Sequence, residues 1–247
     1  MSWPLVAALA VAGLPIGWCL RTVVVRLAVP AGEPARAGCP ACGHGIPAPG
    51  RRLRPAVGPS GRCPVCRARV GPPPLAVEVP TAVLLGLLGA RIHPGLVLAA
   101  ACWLAVATVP LAWIDAAVQR LPDVLTVPAY AGTAGLLLLA AAAGGHWHSM
   151  IRAAVGGLAL AVAYAALAVV SRSAVGLGDA KLAAGLGTML AWAGWPVLVA
   201  GTFTGFLLAA GYGLGLLLLR RGSWRRRIPF GPFMIAGAFL ALLAASL

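Results

Sequence analysis

Residues 95–116 read GLVLAAACWLAVATVPLAWIDA, and they carry no charge before Asp115. A helix of about 20 predominantly apolar residues is long enough to cross the hydrocarbon core of a bilayer. An ionisable side chain at membrane depth is costly, so it is a candidate for function wherever it occurs. This stretch therefore predicts a transmembrane helix that ends in a functional acid.

The same apolar pattern recurs along the whole chain of 247 residues. The composition is 61% hydrophobic and only 10% charged, whereas soluble domains carry about 25% charged residues. We expect an all-α polytopic membrane protein of about eight transmembrane helices, the first of them a retained anchor because no basic segment precedes it. The predicted segments are 3–27, 76–91, 95–116, 123–143, 150–171, 180–195, 197–219 and 229–246.

Basic residues predict the orientation of the chain. The net charge is +14, and the arginines cluster at the ends of apolar segments. With the N-terminus outside, 17 of the 19 basic residues fall on the cytoplasmic side, and only Arg91 and Arg152 fall outside. This distribution follows the positive-inside rule. It predicts a multi-pass protein of the cytoplasmic (inner) membrane and favours lipid, rather than nucleic acid, as the partner of the basic residues.

The sizeable polar region of the sequence lies between the first two predicted helices. Within it, Cys39 with Cys42 and Cys63 with Cys66 form two Cys-x-x-Cys pairs, whose spacing matches a four-cysteine zinc site. Zinc would supply the folding free energy that a segment without an apolar core lacks. Two disulfides are the alternative, which a cytoplasmic location disfavours. We predict a small cytoplasmic insertion resembling a zinc ribbon, with a structural metal. The predicted domains are the first helix (1–29), the cysteine domain (30–75) and the membrane domain (76–247).

Two of the five carboxylates are expected to meet. Asp115 ends the third predicted helix and Asp179 begins the sixth, which puts both at the same depth on the cytoplasmic side. Two carboxyl groups held close together cannot both ionise cheaply, so one can activate water as a base while the other donates a proton. In the alternative, Asp179 caps the sixth helix and Lys181 extends to the lipid headgroups.

Neighbouring residues predict how a substrate approaches. Gly176 and Gly178 flank the position just before Asp179, and glycines permit a close approach of backbone to ligand. We expect a substrate backbone to lie against this loop, near Lys181. Asp123 follows a proline and is predicted to cap the fourth helix.

Several stretches resemble, in the right order, the motifs of the type IV prepilin peptidases, which are polytopic aspartyl proteases with a GxGD motif. GLGD at 176–179, followed by AKL, resembles the GxGD segment, and WIDAAVQRLPDVLTVP at 113–128 resembles the segment of the first aspartate. RIPFGPFMIAG at 227–237 resembles the start of the final helix. The paired cysteines and PPPLAVEVPTAVLLG at 72–86 resemble the cytoplasmic domain and the start of the second helix.

The resemblance implies a membrane endopeptidase that removes the short basic leader of prepilins or pseudopilins at the cytoplasmic membrane face. Carried over by position, Asp115 and Asp179 are its catalytic pair. Many members also methylate the new N-terminus with S-adenosylmethionine. Many members read Gly-Ser-Phe-Leu-Asn-Val-Val at the end of the first helix, where this chain has Arg21 at the asparagine position. Because this region is associated with methylation in the family, the resemblance implies the protease activity more firmly than the methyltransferase activity. The alternative function is an ion or metal transporter with intramembrane aspartates, although the sequence lacks the internal repeat of many transporters.

Overall fold

The structure is a computed structural model that describes residues 3–46, 60–171, 176–219 and 229–245. Over these ranges the secondary structure is helical, apart from two isolated β-bridges near the cysteine pairs. The predicted fold class is confirmed, and the helix bounds agree closely with the predicted segments. The basic cluster predicted at 220–227, residues 47–59 between the two cysteine pairs, and Arg172 lie outside the described residues. The helices are α1 (Trp3–Leu27), α2 (Glu78–Arg91), α3 (Leu96–Val118), α4 (Asp123–Gly144), α5 (Trp147–Ser171), α6 (Leu177–Ala193), α7 (Trp195–Leu218) and α8 (Gly231–Ala244).

The described helices fall into two length classes. Five of them, α1, α3, α4, α5 and α7, are long and apolar enough to cross a bilayer. In contrast, α2 and α8 have 14 residues each and α6 has 17. At a rise of 1.5 Å per residue these three extend about 21–26 Å, less than the ~30 Å hydrocarbon core. The chain is a multi-pass membrane protein. Its three short helices pack against the longer helices, which bury part of their surface.

The helices pack as consecutive antiparallel pairs, α1 with α2, α3 with α4, α5 with α6 and α7 with α8. α3, α6 and α8 meet in the interior, while α5 and α7 expose large apolar side chains such as Val162 and Leu207. Small residues let the pairs approach closely. At Gly17 of α1, an added Cβ would lie only 2.5 Å from the Cα of Glu78. The core thus positions the ends of α3, α6 and α8 against one another.

Candidate active site and metal centre

Asp115 lies near the C-terminal end of α3 and is 5% exposed. Its Oδ2 accepts a hydrogen bond from the Gly231 N–H at 3.0 Å. Gly231 begins α8, and the N-terminus of a helix carries a partial positive charge. A Cβ on Gly231 would lie 2.8 Å from this oxygen, so the contact requires glycine. The start of α8, which packs against α3, therefore holds the Asp115 carboxylate.

Asp179 lies in the first turn of α6 and is 7% exposed. Its Oδ2 accepts a hydrogen bond from the Gly176 N–H at 2.8 Å. This is the bond that an acid at the third helical position makes in a capping box. The alternative interpretation of Asp179 as a helix cap is therefore correct for one of its two oxygens, and the same bond fixes the orientation of the carboxylate.

The two carboxylates come together at one end of the bundle. They are close enough to interact electrostatically, as expected from their positions in the sequence. Among the residues that the structure describes, neither Oδ1 atom has a hydrogen-bond partner, and the one fully buried side-chain oxygen or nitrogen without a partner is Thr22 Oγ1. Each Oδ1 therefore has no partner in the described part of the chain, which leaves it available for a hydrogen bond with water or a substrate.

The two glycines before Asp179 have different surroundings. A Cβ added to Gly178 would lie 3.2 Å from the Cβ of Leu121, so this glycine packs against the α3–α4 connection. At Gly176 the nearest atom to an added Cβ is Asp179 Oδ2, at 3.8 Å. The open side of the loop is thus at Gly176. The approach of a substrate backbone to this loop stays a prediction.

Lys181 makes an ion pair with Asp123, with 2.6 Å between Nζ and Oδ1. The two side chains are 52% and 62% exposed. Asp123 opens α4 as predicted, as the first helical residue and the acid of the first turn, while the N-cap position itself is Pro122, which has no side-chain capping bond. Its carboxylate turns instead to the lysine on α6 and joins the starts of the two helices.

The four predicted metal ligands form a single cluster. The Sγ atoms of Cys39, Cys42, Cys63 and Cys66 all lie within 4.8 Å of one another, and the two shortest separations are 3.6 Å. Sulfurs at the usual distance from a tetrahedral zinc are about 3.8 Å apart. All four are free cysteines, so the donor set fits a four-thiolate zinc site.

Backbone N–H groups favour the thiolate form at two of the four cysteines. The N–H of Ala41 lowers the pKa of Cys39, and that of Cys66 lowers the pKa of Cys63 to about 6. At Cys66 the N–H of Ala68 acts in the same direction, but the neighbouring cysteine sulfurs and burial outweigh it and raise the pKa to about 12. The thiolate is the form that ligates metal. The turn after each pair also has a residue with positive φ, Gly43 at 72° and Arg67 at 58°. The two halves of the cluster are therefore similar turns that present sulfur to the same point.

A buried ion pair joins the cysteine domain to the membrane helices, and sequence reasoning missed it. Arg21 is fully buried and donates to both Glu78 oxygens, at 2.9 and 2.7 Å. It also donates to the carbonyls of Pro72 and Pro73. Neither periodicity nor spacing reveals a contact between side chains so far apart in sequence. Two signals for this pair were present in the sequence: Arg21, which stands where the resembling family often has asparagine, and an acid, Glu78, at the start of α2.

The fold and these sites define a class: a helical membrane protein with two buried carboxylates within electrostatic range of each other, and a cluster of four thiols between its first two helices that could hold a metal ion. Residues 98–214 match the type IV leader peptidase family. The chain belongs to this family, and it is a peptidase rather than the transporter considered above.

Curated relatives cover most of the chain. The Prepilin leader peptidase/N-methyltransferase of Aeromonas salmonicida (strain A449) is 35% identical over 213 residues, which span 84% of this chain and 71% of the relative. The protein of that name from Pseudomonas aeruginosa is 33% identical over 221 residues, spanning 83% and 70%. No solved structure gives a significant match.

Proposed function

We propose that this chain removes the leader peptide of prepilins or pseudopilins at the cytoplasmic face of the inner membrane, with Asp115 and Asp179 as the catalytic pair. The observation that carries the proposal is the meeting of these two acids, from α3 and α6, with one free oxygen each. Relatives named for prepilin leader cleavage support the substrate class. The basic residues on this side of the predicted topology support the cytoplasmic face.

The proposed chemistry is the addition of water to the scissile peptide bond. The ionised carboxylate removes a proton from water, whose oxygen bonds to the carbonyl carbon, while the protonated partner gives its proton to the carbonyl oxygen. Collapse of the tetrahedral intermediate breaks the carbon–nitrogen bond, and a proton passes to the leaving amine. The N–H groups of Gly231 and Gly176 hold the two Oδ2 atoms, so both Oδ1 atoms stay directed to the reaction.

The charges around the site support a basic leader as the substrate segment. A cleft of about 270 Å³ is lined by two exposed carboxylates, Glu33 and Asp123, and by one cation, Arg120, whose guanidinium donates to the Pro30 carbonyl. Leu121, also in its lining, packs against Gly178 of the site loop. The other three carboxylates of the chain are buried. An exposed ion pair contributes little to the folding free energy, so the Lys181–Asp123 pair can open at low cost. A basic residue of the leader could then take the place of Lys181 at Asp123, which would put both residues next to the bound substrate.

Two cofactors belong to the proposal. Structural zinc would be held by the four cysteines and would fold the cysteine domain. S-adenosylmethionine would supply the methyl group for a second activity, N-methylation of the new N-terminus, which the relatives' names include. A cavity of about 380 Å³ between the cysteine domain, α1 and α3 is lined by Arg36, Arg69 and Trp113. The arginines could bind the carboxylate of this cofactor and the indole could contact its adenine.

Cleavage by aspartate variants tests the catalytic pair. We expect Asp115→Asn and Asp179→Asn, in folded full-length protein, to lose cleavage of a prepilin by at least about 10²-fold, because general acid–base catalysis is lost. Mass analysis of the product reports the cut and, with and without S-adenosylmethionine, any methylation. Asp123→Asn removes an exposed carboxylate proposed to contact the leader and not the scissile bond, so in comparison it should raise KM and leave kcat unchanged. Full cleavage by either pair variant would refute the assignment.

A further inference from the structure

A leucine in a strained backbone conformation lies where the cysteine domain meets α2. Leu75 has a φ of 62°, in the left-handed region that glycine adopts easily and that a leucine side chain disfavours. Its side chain is 61% exposed, so packing within the described part of the chain leaves most of this apolar surface uncovered. Strained residues persist where their surroundings fix them, and they often have a function. The structure therefore holds an apolar side chain outward at a cost in backbone free energy.

Polar contacts from two membrane helices fix the turn that contains this leucine. On α1, Arg21 donates to the carbonyl oxygens of Pro72 at 2.7 Å and of Pro73 at 3.1 Å. On α3, the indole N–H of Trp113 donates to the carbonyl oxygen of Ala76 at 2.9 Å. The backbone on both sides of the leucine is thus bound to the bundle, while the leucine side chain stays exposed. The exposure of this side chain is therefore a fixed feature of the fold.

The contact with Arg21 also indicates the depth of the turn in the membrane. The helix α1 is long and apolar enough to cross a bilayer, and it begins at Trp3. Arg21 lies ~27 Å along the helix from Trp3 at a rise of about 1.5 Å per residue, which is close to the ~30 Å thickness of the hydrocarbon core. Because the two prolines are bound to Arg21, Leu75 lies at the edge of this core, level with the junction of acyl chains and headgroups.

An exposed apolar face of α2 leads to the leucine. Val79, Val83 and Leu87 are exposed and occur four residues apart, which places them on one face of the helix. Other residues of α2 pack on α1 and α3, so this exposed face contacts lipid in a multi-pass membrane protein. The N–H of Val79 donates to the carbonyl oxygen of Leu75 at 3.0 Å, so the leucine lies one turn before Val79. It extends the lipid-facing surface of α2, a helix of only 14 residues, toward the headgroups.

We propose that the side chain of Leu75 inserts into the bilayer at the boundary between acyl chains and headgroups and seats this end of the cysteine domain on the membrane. The partner is the lipid surface itself, and the inference does not depend on the peptidase function. Transfer of an aliphatic side chain from water to an apolar phase is favourable in proportion to the area removed from water, which offsets the cost of the left-handed backbone. Glycine would adopt this backbone without strain but would have no apolar side chain to bury.

Photocrosslinking reports whether the side chain contacts lipid. In this experiment p-benzoylphenylalanine replaces Leu75 in the full-length protein, which is reconstituted into vesicles of phosphatidylglycerol and phosphatidylethanolamine and illuminated. We expect mass analysis to find acyl-chain adducts, as it should for the same replacement at Val79 on the exposed face of α2. His44, an exposed residue of the cysteine domain, is the control position and should give none. Adducts at Val79 without adducts at position 75 would overturn the inference.

Hydrogen exchange tests the native side chain without a probe. Leu75→Gly relieves the left-handed strain, so a purely conformational effect would slow exchange of the Val79 N–H, which bonds to the carbonyl at position 75. If lipid anchors the leucine, the same variant should instead speed this exchange about tenfold in vesicles, the factor expected for loss of one buried leucine side chain. Leu75→Met keeps an apolar side chain of similar size and should exchange at the wild-type rate. Unchanged or slower exchange in Leu75→Gly would contradict the anchoring role.

Discussion

At the scale of single residues, the site depends on contacts that only glycine permits. Gly231 donates its N–H to Asp115 Oδ2 at a separation that leaves no room for a Cβ. The carboxylate is thus held by a backbone group, which cannot rotate away as a side chain could. The position of the acid is set by α8, a neighbour of α3 in the bundle that is distant from it in sequence.

Gly231→Ala should displace the Asp115 carboxylate, because the new Cβ would lie 2.8 Å from Oδ2. We expect kcat for prepilin cleavage to fall about 10²-fold, the usual cost of a misplacement near 1 Å. Steady-state cleavage assays on the purified variant measure it. Gly211→Ala on α7, where an added Cβ meets nothing within 4 Å, is the control and should be fully active. Equal activity of the two variants would contradict the role of Gly231.

At the scale of elements, the buried pair of Arg21 and Glu78 joins α1, α2 and the end of the cysteine domain. Arg21→Met leaves the Glu78 carboxylate buried without its partner, which costs about 3–5 kcal/mol of folding free energy. We expect a clear fall in Tm in detergent micelles, with partial recovery in the double variant Arg21→Met, Glu78→Met.

The exposed pair of Lys181 and Asp123 provides the comparison for this prediction. Lys181→Met should change the folding free energy by at most about 1 kcal/mol. If Arg21→Met were no more destabilising than Lys181→Met, the buried pair would have no special role in holding these elements together.

The cysteine domain should depend on its metal. Cys39→Ser and Cys63→Ser each remove one of four clustered sulfurs, and we expect bound zinc, measured by elemental analysis of the purified full-length chain, to be lost. Limited proteolysis should then cut the domain faster, since metal binding supplies its folding free energy. Cys102→Ser, on α3 and outside the cluster, should retain zinc. Unchanged zinc content in the cluster variants would exclude the four-thiolate site.

At the scale of the whole molecule, the predicted orientation is open to direct measurement. The turn at Gly145, between α4 and α5, is predicted outside, and the cysteine domain inside. Alkaline phosphatase inserted at Gly145 should be active, while a fluorescent protein inserted within the linker at 47–59 should fluoresce. The reverse pattern in intact cells would invert the topology and move the proposed cleavage to the other membrane face.

Apolar period and length were sufficient to predict the eight helices, because burial in lipid makes each span a continuous hydrophobic run. The proximity of Asp115 and Asp179 was expected from topology, which assigns a side and a depth to each helix end. The clustering of the four cysteines was expected from their spacing. In contrast, the contact of Gly231 with Asp115 and the Arg21–Glu78 pair depend on how helices distant in sequence face one another, which no local pattern encodes.

The hydrogen bond from Gly231 to Asp115 also has a consequence for biosynthesis. Its two residues are separated by 116 positions in the chain, so the ribosome must add all of α4 to α7 before the acid acquires its backbone partner. At 5–20 residues per second this delay is on the order of ten seconds. A nascent chain that has inserted α3 and α6 but not α8 would hold both acids without their final alignment. The enzyme should therefore become fully active only after α8, its last described helix, is inserted. Before that point a prepilin that reaches the site would meet an Asp115 carboxylate that is not yet aligned.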